Sequence, residues 1–589
     1  MMALLIGVGL AKMFAGTLPT HASQFALPAA RQTAGFAYVF LLLRAFASGG
    51  AAVTGVEAIS NGVPAFKQPE WRNARTTLMW MGSLLGFMFL GLSILAAHMH
   101  LGFDPEEKIT VLAQAGKAVF GSRGLGTALF AALQIVTLLI LVLAANTSFA
   151  DFPRLASFQA GDRFLPRQLT RHGDRLVYSN GIIVLSVLAA ILVIVFQASV
   201  TKLIPLYAVG VFTSFTFSQL GMAKRHIVKK EEGWRIGLFF NGLGGIVSGV
   251  MTVIIAGVKF TQGAWAILLA MPIILSGLYQ VNKHYRETGA SLRDTSRRGP
   301  VRETPRQIVI IPVGDPGRAD VYAAAYASRV FPLDVRMVHF AEYGTPLDDL
   351  IEVWSRLGHT IEFLPRRKDI ATDLLHYVRD VRAEGRHYAP INVVVPETVR
   401  DAKSRHLFHK FHVQRIKATL VSDGVVVTNI AHHPGYEMLE PVTPGETVAR
   451  AMEGWRHVAV VLVSGVHNAT VQSVRYGRSL RADEFHCLHV SVDSDESEKV
   501  VKDWETWRLG EPLEVLDSPY RQIAGPIHEW VRGVLDAGPR TFVTIVIPEF
   551  VVAKAWHSLL HNQTALTLKA AFLFEPSVVV ASVPYKLDR

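Results

Sequence analysis

Up to about residue 285, apolar segments close to the ~20 residues that a bilayer-crossing helix needs recur at Phe36–Ile59, Thr77–His98, Leu125–Thr147, Gly181–Ala198, Leu203–Met222, Ile236–Val258 and Ala264–Val281; after it none does. Hydrocarbon offers backbone amides no water, so an apolar stretch of this length satisfies them internally, as a helix. The chain is 50% hydrophobic over 589 residues, a mixture that fits one membrane region followed by one soluble region. Met1–Phe14 is apolar but shorter than a span, lacks a basic leader and a clear cleavage site, and is expected to be the tail of a helix whose start lies upstream.

The formal charge of +11 would suit a nucleic-acid binder, but the basic residues follow alternate spans. Lys67, Arg72 and Arg75 follow the first, Arg154, Arg163, Arg167, Arg171 and Arg175 the third, and Lys224, Arg225, Lys229, Lys230 and Arg235 the fifth. That alternation is the positive-inside pattern of a cell-membrane protein in contact with lipid, and it assigns the C-terminal region to the cytoplasm. No nucleic-acid partner is expected. The single Cys487 excludes a disulfide framework within the chain.

The expected organisation is a transmembrane domain over 1–285, a charged, turn-rich linker over 286–305 (RETGASLRDTSRRGPVRETP), and α/β units over 306–455 and 456–589. The last two are duplicates. Gln307–Val313 is echoed by His457–Val463, Val335–Phe340 by Phe485–Val490, Val393–Glu397 by Ile545–Glu549, and Val425–Ile430 by Val578–Val583. β-Branched runs alternate with helical stretches at Ala319–Ser328, Asp369–Glu384, Ala469–Leu480 and Tyr520–Asp536, so each copy is expected to be a doubly wound unit with a parallel sheet covered on both faces. Such sheets bind ligands beyond the carboxyl ends of their strands. The loop after the first strand carries Gly314, Asp315 and Gly317, which suits either a phosphate or a simple turn; no complete nucleotide fingerprint accompanies it. His339 and His489 occupy equivalent strand positions and are expected to be packed side chains, and neither His432–His433 nor His406, His409 and His412 completes a zinc pattern. No nucleophile–base pair or metal set points to an enzyme.

Glu57 lies inside the first apolar span, where an ionisable group is expensive unless it faces a cavity or a partner. Thr54 stands one turn before it, and Ser48, Gly49 and Gly50 weaken the helix upstream in a way that frees backbone carbonyls. Hydroxyl, carboxylate and carbonyl oxygens together suit a dehydrated alkali cation; a carboxyl bonded between close-packed helices is the other reading. Tyr207, beside Pro205 and Gly210, either projects into a cavity or anchors at the interface. Thr213, Ser214, Thr216 and Ser218 add hydroxyls along the same helix, although such hydroxyls commonly bond their own backbone or a neighbouring helix.

Over Thr54–Lys67 (TGVEAISNGVPAFK), Pro205–Met222 (PLYAVGVFTSFTFSQLGM) and a cytoplasmic tail similar to a universal stress protein, the chain resembles the KimA branch of the KUP potassium importers, within the amino acid–polyamine–organocation superfamily. The resemblance implies a partial LeuT-like fold holding the end of the fifth helix through the twelfth, with the N-terminal helices missing, and a midplane site at broken helices. It implies potassium uptake coupled to protons, with Thr54 and Tyr207 as potassium ligands and Glu57 serving the ion or the proton. A homodimer formed through the cytoplasmic domain is expected, and by analogy a regulatory adenine nucleotide such as cyclic di-AMP would occupy its interface. No cofactor is expected. An amino acid or polyamine permease on the same fold, and a membrane-tethered nucleotide sensor without transport, are the alternative functions.

Overall fold

The computed structural model describes residues 1–20, 35–50, 55, 59–60, 62–63, 66–102, 104, 108–170, 172–173, 177–292, 307–314, 317–331, 334–341, 347–384, 390–398, 407–433, 451–551 and 563–587. The chain divides into a helical unit, Met1–Arg171 with Tyr178–Asn282, and an α/β unit formed by Lys283–Arg589 with His172–Val177.

The helical unit contains α1 (Met2–Phe14), α2 (Phe36–Gly50), α3 (Glu70–His98), α4 (Val111–Phe120), α5 (Leu125–Gly161), α6 (Ser179–Val195), α7 (Val200–Lys229), α8 (Trp234–Val258) and the greater part of α9 (Ala264–Ser291). Among the described residues, α3, α5, α7, α8 and α9 are long and apolar enough to span a bilayer. The outward faces are apolar as well: Ile135 and Leu138 through Leu143 on α5 are each more than half exposed, a surface stable only against hydrocarbon. α4 is the element that the sequence pattern passes over, because ten residues are too few to span. Its N-cap is Thr110, whose hydroxyl oxygen accepts from Ala113 N at 3.1 Å, and Lys12 Nζ donates to the carbonyl of Val119 near its other end at 2.6 Å. α9 continues to Ser291, so the expected linker begins as helix. Once clear of the apolar span, the helix is prolonged by exposed polar residues, with Lys283 and Glu287 3.9 Å apart one turn from each other.

The α/β unit holds β1 (Ile308–Pro312), α10 (Arg318–Val330), β2 (Val335–Ala341), α11 (Asp348–Arg356), β3 (Ile361–Pro365), α12 (Ile370–Glu384), β4 (Ile391–Thr398), α13 (Leu407–Ser422) and β5 (Val426–His432). The second copy follows as β6 (Arg456–Leu462), α14 (Asn468–Ser479), β7 (Glu484–Ser491), α15 (Ser494–Trp507), β8 (Leu513–Asp517), α16 (Ala524–Asp536), β9 (Thr541–Val551), α17 (Gln563–Phe572) and β10 (Val578–Lys586). Every strand echoed between the two halves of the sequence is present. The sheets are not separate, however: the strand order is β3-β2-β1-β4-β5-β10-β9-β6-β7-β8, all parallel within each half and antiparallel where β5 meets β10, Ile430 opposite Val579. The two copies therefore share one ten-stranded sheet about a pseudo-two-fold axis.

Side chains fasten that junction. Tyr326 on α10 reaches the other copy's strand, its hydroxyl 3.1 Å from Thr544 Oγ1. Its counterpart Tyr476 on α14 crosses the opposite way, accepting from Asn392 Nδ2 at 3.1 Å and lying 3.1 Å from Thr428 Oγ1. Both tyrosines lie in one apolar cluster continuous across the two copies, where an unmade hydrogen bond would be expensive.

His457 belongs to the same layer, stacked on Phe542 at 4.4 Å with Nε2 2.9 Å from Thr544 Oγ1. Burial, reinforced by Arg329, pushes its pKa from 6.5 down to about 3. The fold thus holds this imidazole neutral while the unfolded chain protonates it, so the stability it contributes is complete above its unfolded value and is lost as the pH falls toward the folded one. Unfolding of the sheet is expected to become easier by about 1.4 kcal/mol per pH unit within that window. His457→Gln should flatten this slope in thermal unfolding followed from pH 7 to 4.5; an unchanged slope would remove His457 as its source.

Candidate ion site in the helical unit

Ser48, Gly49 and Gly50 are helical in α2, which the structure describes as far as Gly50. Gly55 takes φ +99°, a conformation that side chains rarely adopt and that a helix cannot include. Thr54, Glu57 and the side chain of Ser48 lie outside the described residues.

Gly50 is buried, with Met251 of α8 and Phe212 of α7 against its α-carbon: a Cβ built there would lie 2.7 Å from Met251 Cε and 3.5 Å from Phe212 Cε2 and Cζ. Tyr207 lies earlier on α7, about half exposed, with Ala208 and Val209 beside it buried in the cluster that holds Phe212, Met251, Ile255 and Ala264. The structure thus brings Gly50 of α2 to the helix that carries Tyr207, and the contact runs through Phe212.

α7 and α8 form an antiparallel hairpin turned at Lys230 and Gly233, both at positive φ. Small residues on α8 let the helices approach: a Cβ on Gly245 would lie 2.9 Å from Leu220, and one on Gly244 3.2 Å from Gln219. Across this seam the Thr216 and Ser248 hydroxyls are 3.1 Å apart, and His226 Nε2 lies 3.1 Å from Asn241 Nδ2. Thr213 donates to the Val209 carbonyl at 2.6 Å and Thr216 to that of Phe212 at 2.7 Å, the backbone bonding common for membrane hydroxyls, while Ser214 and Ser218 are exposed. Phe212, Met251 and Ser248 are absent from the sequence-based candidates. The spacing Gly244, Gly245, Ser248, Gly249 was the available signal for the helix seam; nothing in the pattern marks Met251.

In the α/β unit, Gly314 follows β1 and Gly317 caps α10, where its amide donates to Asp320 Oδ2 at 3.2 Å; Asp315 lies outside the described residues. Asp320 sets a negative charge at the helix end that a phosphate would otherwise approach. In the second copy His467 caps α14, with Thr470 Oγ1 donating to Gly465 O at 2.5 Å. His339 and His489 are packed as expected, each with Nδ1 2.8 Å from the carbonyl ending the neighbouring strand, Val313 and Val463. Among the described residues no three metal-ligating side chains converge.

The family described as "KimA potassium transporter C-terminal domain" matches residues 305–432 and 455–585. The potassium transporter KimA of Bacillus subtilis (strain 168) is 30% identical over 589 residues, covering 99% of this chain and 70% of that protein. The chain belongs to the KimA family. Residues 1–278 match the family described as "Amino acid permease", which places KimA-type helices within the amino acid permease superfamily and agrees with the spanning segments. A crystal structure of the cytoplasmic domain of a prokaryotic cation chloride cotransporter overlaps 47% of this chain and 95% of its own, at 9% identity and a TM-score of 0.28, a likeness too distant to carry an argument.

Proposed function

We propose that the protein imports potassium together with protons. Thr54, Tyr207 and carbonyls freed at Ser48–Gly50 would supply oxygens to the cation, and Glu57 would exchange the proton. The observations that carry this reading are that Gly50 of α2 packs against Phe212 of the Tyr207-bearing helix and that Gly55, five residues on, has φ +99°. KimA membership supports potassium over an amino acid, which would need a site for both a carboxylate and an ammonium. A cation beside a carboxylate and a proton on it compete for the same negative charge, so ion occupancy and protonation are coupled.

The α/β unit is proposed to lie in the cytoplasm, on the strength of the basic residues at the start of α3 and the end of α7. We also propose that it dimerises and regulates uptake. For an adenine nucleotide at Gly314, Asp315 and Gly317 the local support is thin, since Asp320 already engages the Gly317 amide.

The test is potassium uptake in a potassium-dependent host expressing the full-length protein. Growth at low potassium is expected, with uptake that collapses when the pH gradient is dissipated. Uptake indifferent to that gradient would remove proton coupling, and competition by amino acids instead of potassium would favour the permease reading.

A further inference from the structure

We infer that the turn joining α7 to α8 is a binding site for anionic phospholipid, which it holds by the headgroup phosphate where the two helices leave the hydrocarbon. Such a site anchors the hairpin whatever the helices transport.

From Lys224 to Arg235 the sequence KRHIVKKEEGWR sets five lysines and arginines against two glutamates. Arg225 occupies one of the glutamates, its Nη2 lying 3.1 and 3.3 Å from the two carboxylate oxygens of Glu231. Lys224, Lys229, Lys230 and Arg235 are exposed and, among the described residues, form no salt bridge. The turn that carries them is short and fixed: the Lys230 amide donates to the His226 carbonyl at 3.1 Å and the Trp234 amide to that of Glu231 at 3.0 Å. Just inside it, His226 bonds Asn241 across the hairpin and fills the space that Gly237 leaves, where a Cβ would lie 2.6 Å from the ring. Two of the cations gather on one indole, with Lys230 Nζ 5.9 Å and the Arg235 guanidinium carbon 5.5 Å from the Trp234 ring centre, a cation–π arrangement on the residue type that settles at headgroup level. Towards the spans, Ile227 and Val228 of α7 and Ile236, Phe239 and Phe240 of α8 are each more than half exposed, the two phenylalanines edge-on at 5.5 Å. Charge, indole and bare hydrocarbon therefore follow one another along the hairpin. A free phosphate or an acidic protein would meet the charges and leave the apolar collar uncovered, whereas a phospholipid carries an anion and acyl chains in the same order.

The experiment places the full chain in phosphatidylcholine nanodiscs with a trace of photoactivatable phosphatidylglycerol or, in parallel, photoactivatable phosphatidylcholine, and locates the adducts by peptide mass. A lysine or arginine near the membrane surface strengthens binding of an anionic lipid about fivefold, so four unpaired cations against the one remaining glutamate predict that labelling of residues 224–240 favours phosphatidylglycerol about a hundredfold. Arg235→Gln should lower that preference about fivefold and Lys230→Gln/Arg235→Gln about twentyfold, while Lys67→Gln/Arg75→Gln, which removes the same charge elsewhere, leaves it in place. Equal labelling by the two probes would overturn the inference, as would a preference that survives Lys230→Gln/Arg235→Gln. Millimolar inorganic phosphate is expected to leave the labelling intact; if it abolishes it, the turn reads a free anion and the assignment to lipid fails. Cross-links from this turn to a second copy of the chain in place of lipid adducts would overturn it as well. If the double variant does not accumulate, Arg235→Gln alone decides at the fivefold level.

Discussion

Glu57→Gln is expected to lower potassium uptake by about a hundredfold at neutral pH and to leave what remains insensitive to pH. A carboxylate that alternates between neutralising a cation and carrying a proton is the one group in the proposed site able to link the two, and moving a proton through a positioned side chain has effects of about 10²–10⁴ on rates. The amide keeps the size and an oxygen ligand but can neither take the proton nor offer a charge. Uptake is measured across external pH with protein levels matched; a Glu57→Gln variant whose uptake still follows pH like the wild type would sink the assignment. Glu57→Asp tests the charge separately, and partial recovery of the pH dependence is expected.

The second large effect is expected in the α/β unit. Lys417 on α13 pairs with Glu397 at the end of β4 at 2.5 Å, their side chains 14% and 8% exposed, and burial pulls the lysine's pKa below its ordinary value even with Glu397 beside it. Lys417→Ala strands a carboxylate in the interior, and breaking a buried pair in this way costs about 3–5 kcal/mol. Replacing both partners, Lys417→Met with Glu397→Leu, should recover most of that loss, since no charge then remains to be solvated. Hydrogen exchange of the β4 and β5 amides in the intact protein distinguishes the two chains. Equal protection in the single and double variants would show that the pair does not stabilise the sheet in this way. The second copy carries the same device, Lys569 with Glu549, so the sequence echo VVVPE and IVIPE is an echo of buried charge as well as of strand.

Much of this architecture was legible in the sequence because its signals are local and repeated. Apolar length alone marks α3, α5, α7, α8 and α9, and β-branched runs mark β1, β2, β4 and β5 with their second-half partners. The short edge strands β3 and β8 escaped, because IEFLP and LEVLD interleave charges with few β-branched residues. The merging of the two sheets escaped as well: it depends on β5 meeting β10 in antiparallel register, a long-range pairing that no local period encodes. At the candidate site the sequence shows which residue types are unusual for a membrane, hence Glu57, Thr54 and the glycines, but not what they touch. Met251 is unremarkable among apolar neighbours in the sequence, and its place against Gly50 appears only in the fold.

The antiparallel join of β5 to β10 has a further consequence. Two copies that would otherwise have to find each other by diffusion are tethered in one polypeptide, so the shared sheet forms at a local concentration fixed by the chain and does not loosen on dilution. Freed from strict equivalence, the halves can also diverge at matching positions: Asn392 answers the crossing Tyr476 where Thr544 answers Tyr326, and an imidazole occupies His457 where the first copy places Gln307. A sheet assembled by such a fusion can be destabilised by acid on one side of its axis and remain indifferent on the other, which an exchangeable pair of identical subunits could not do.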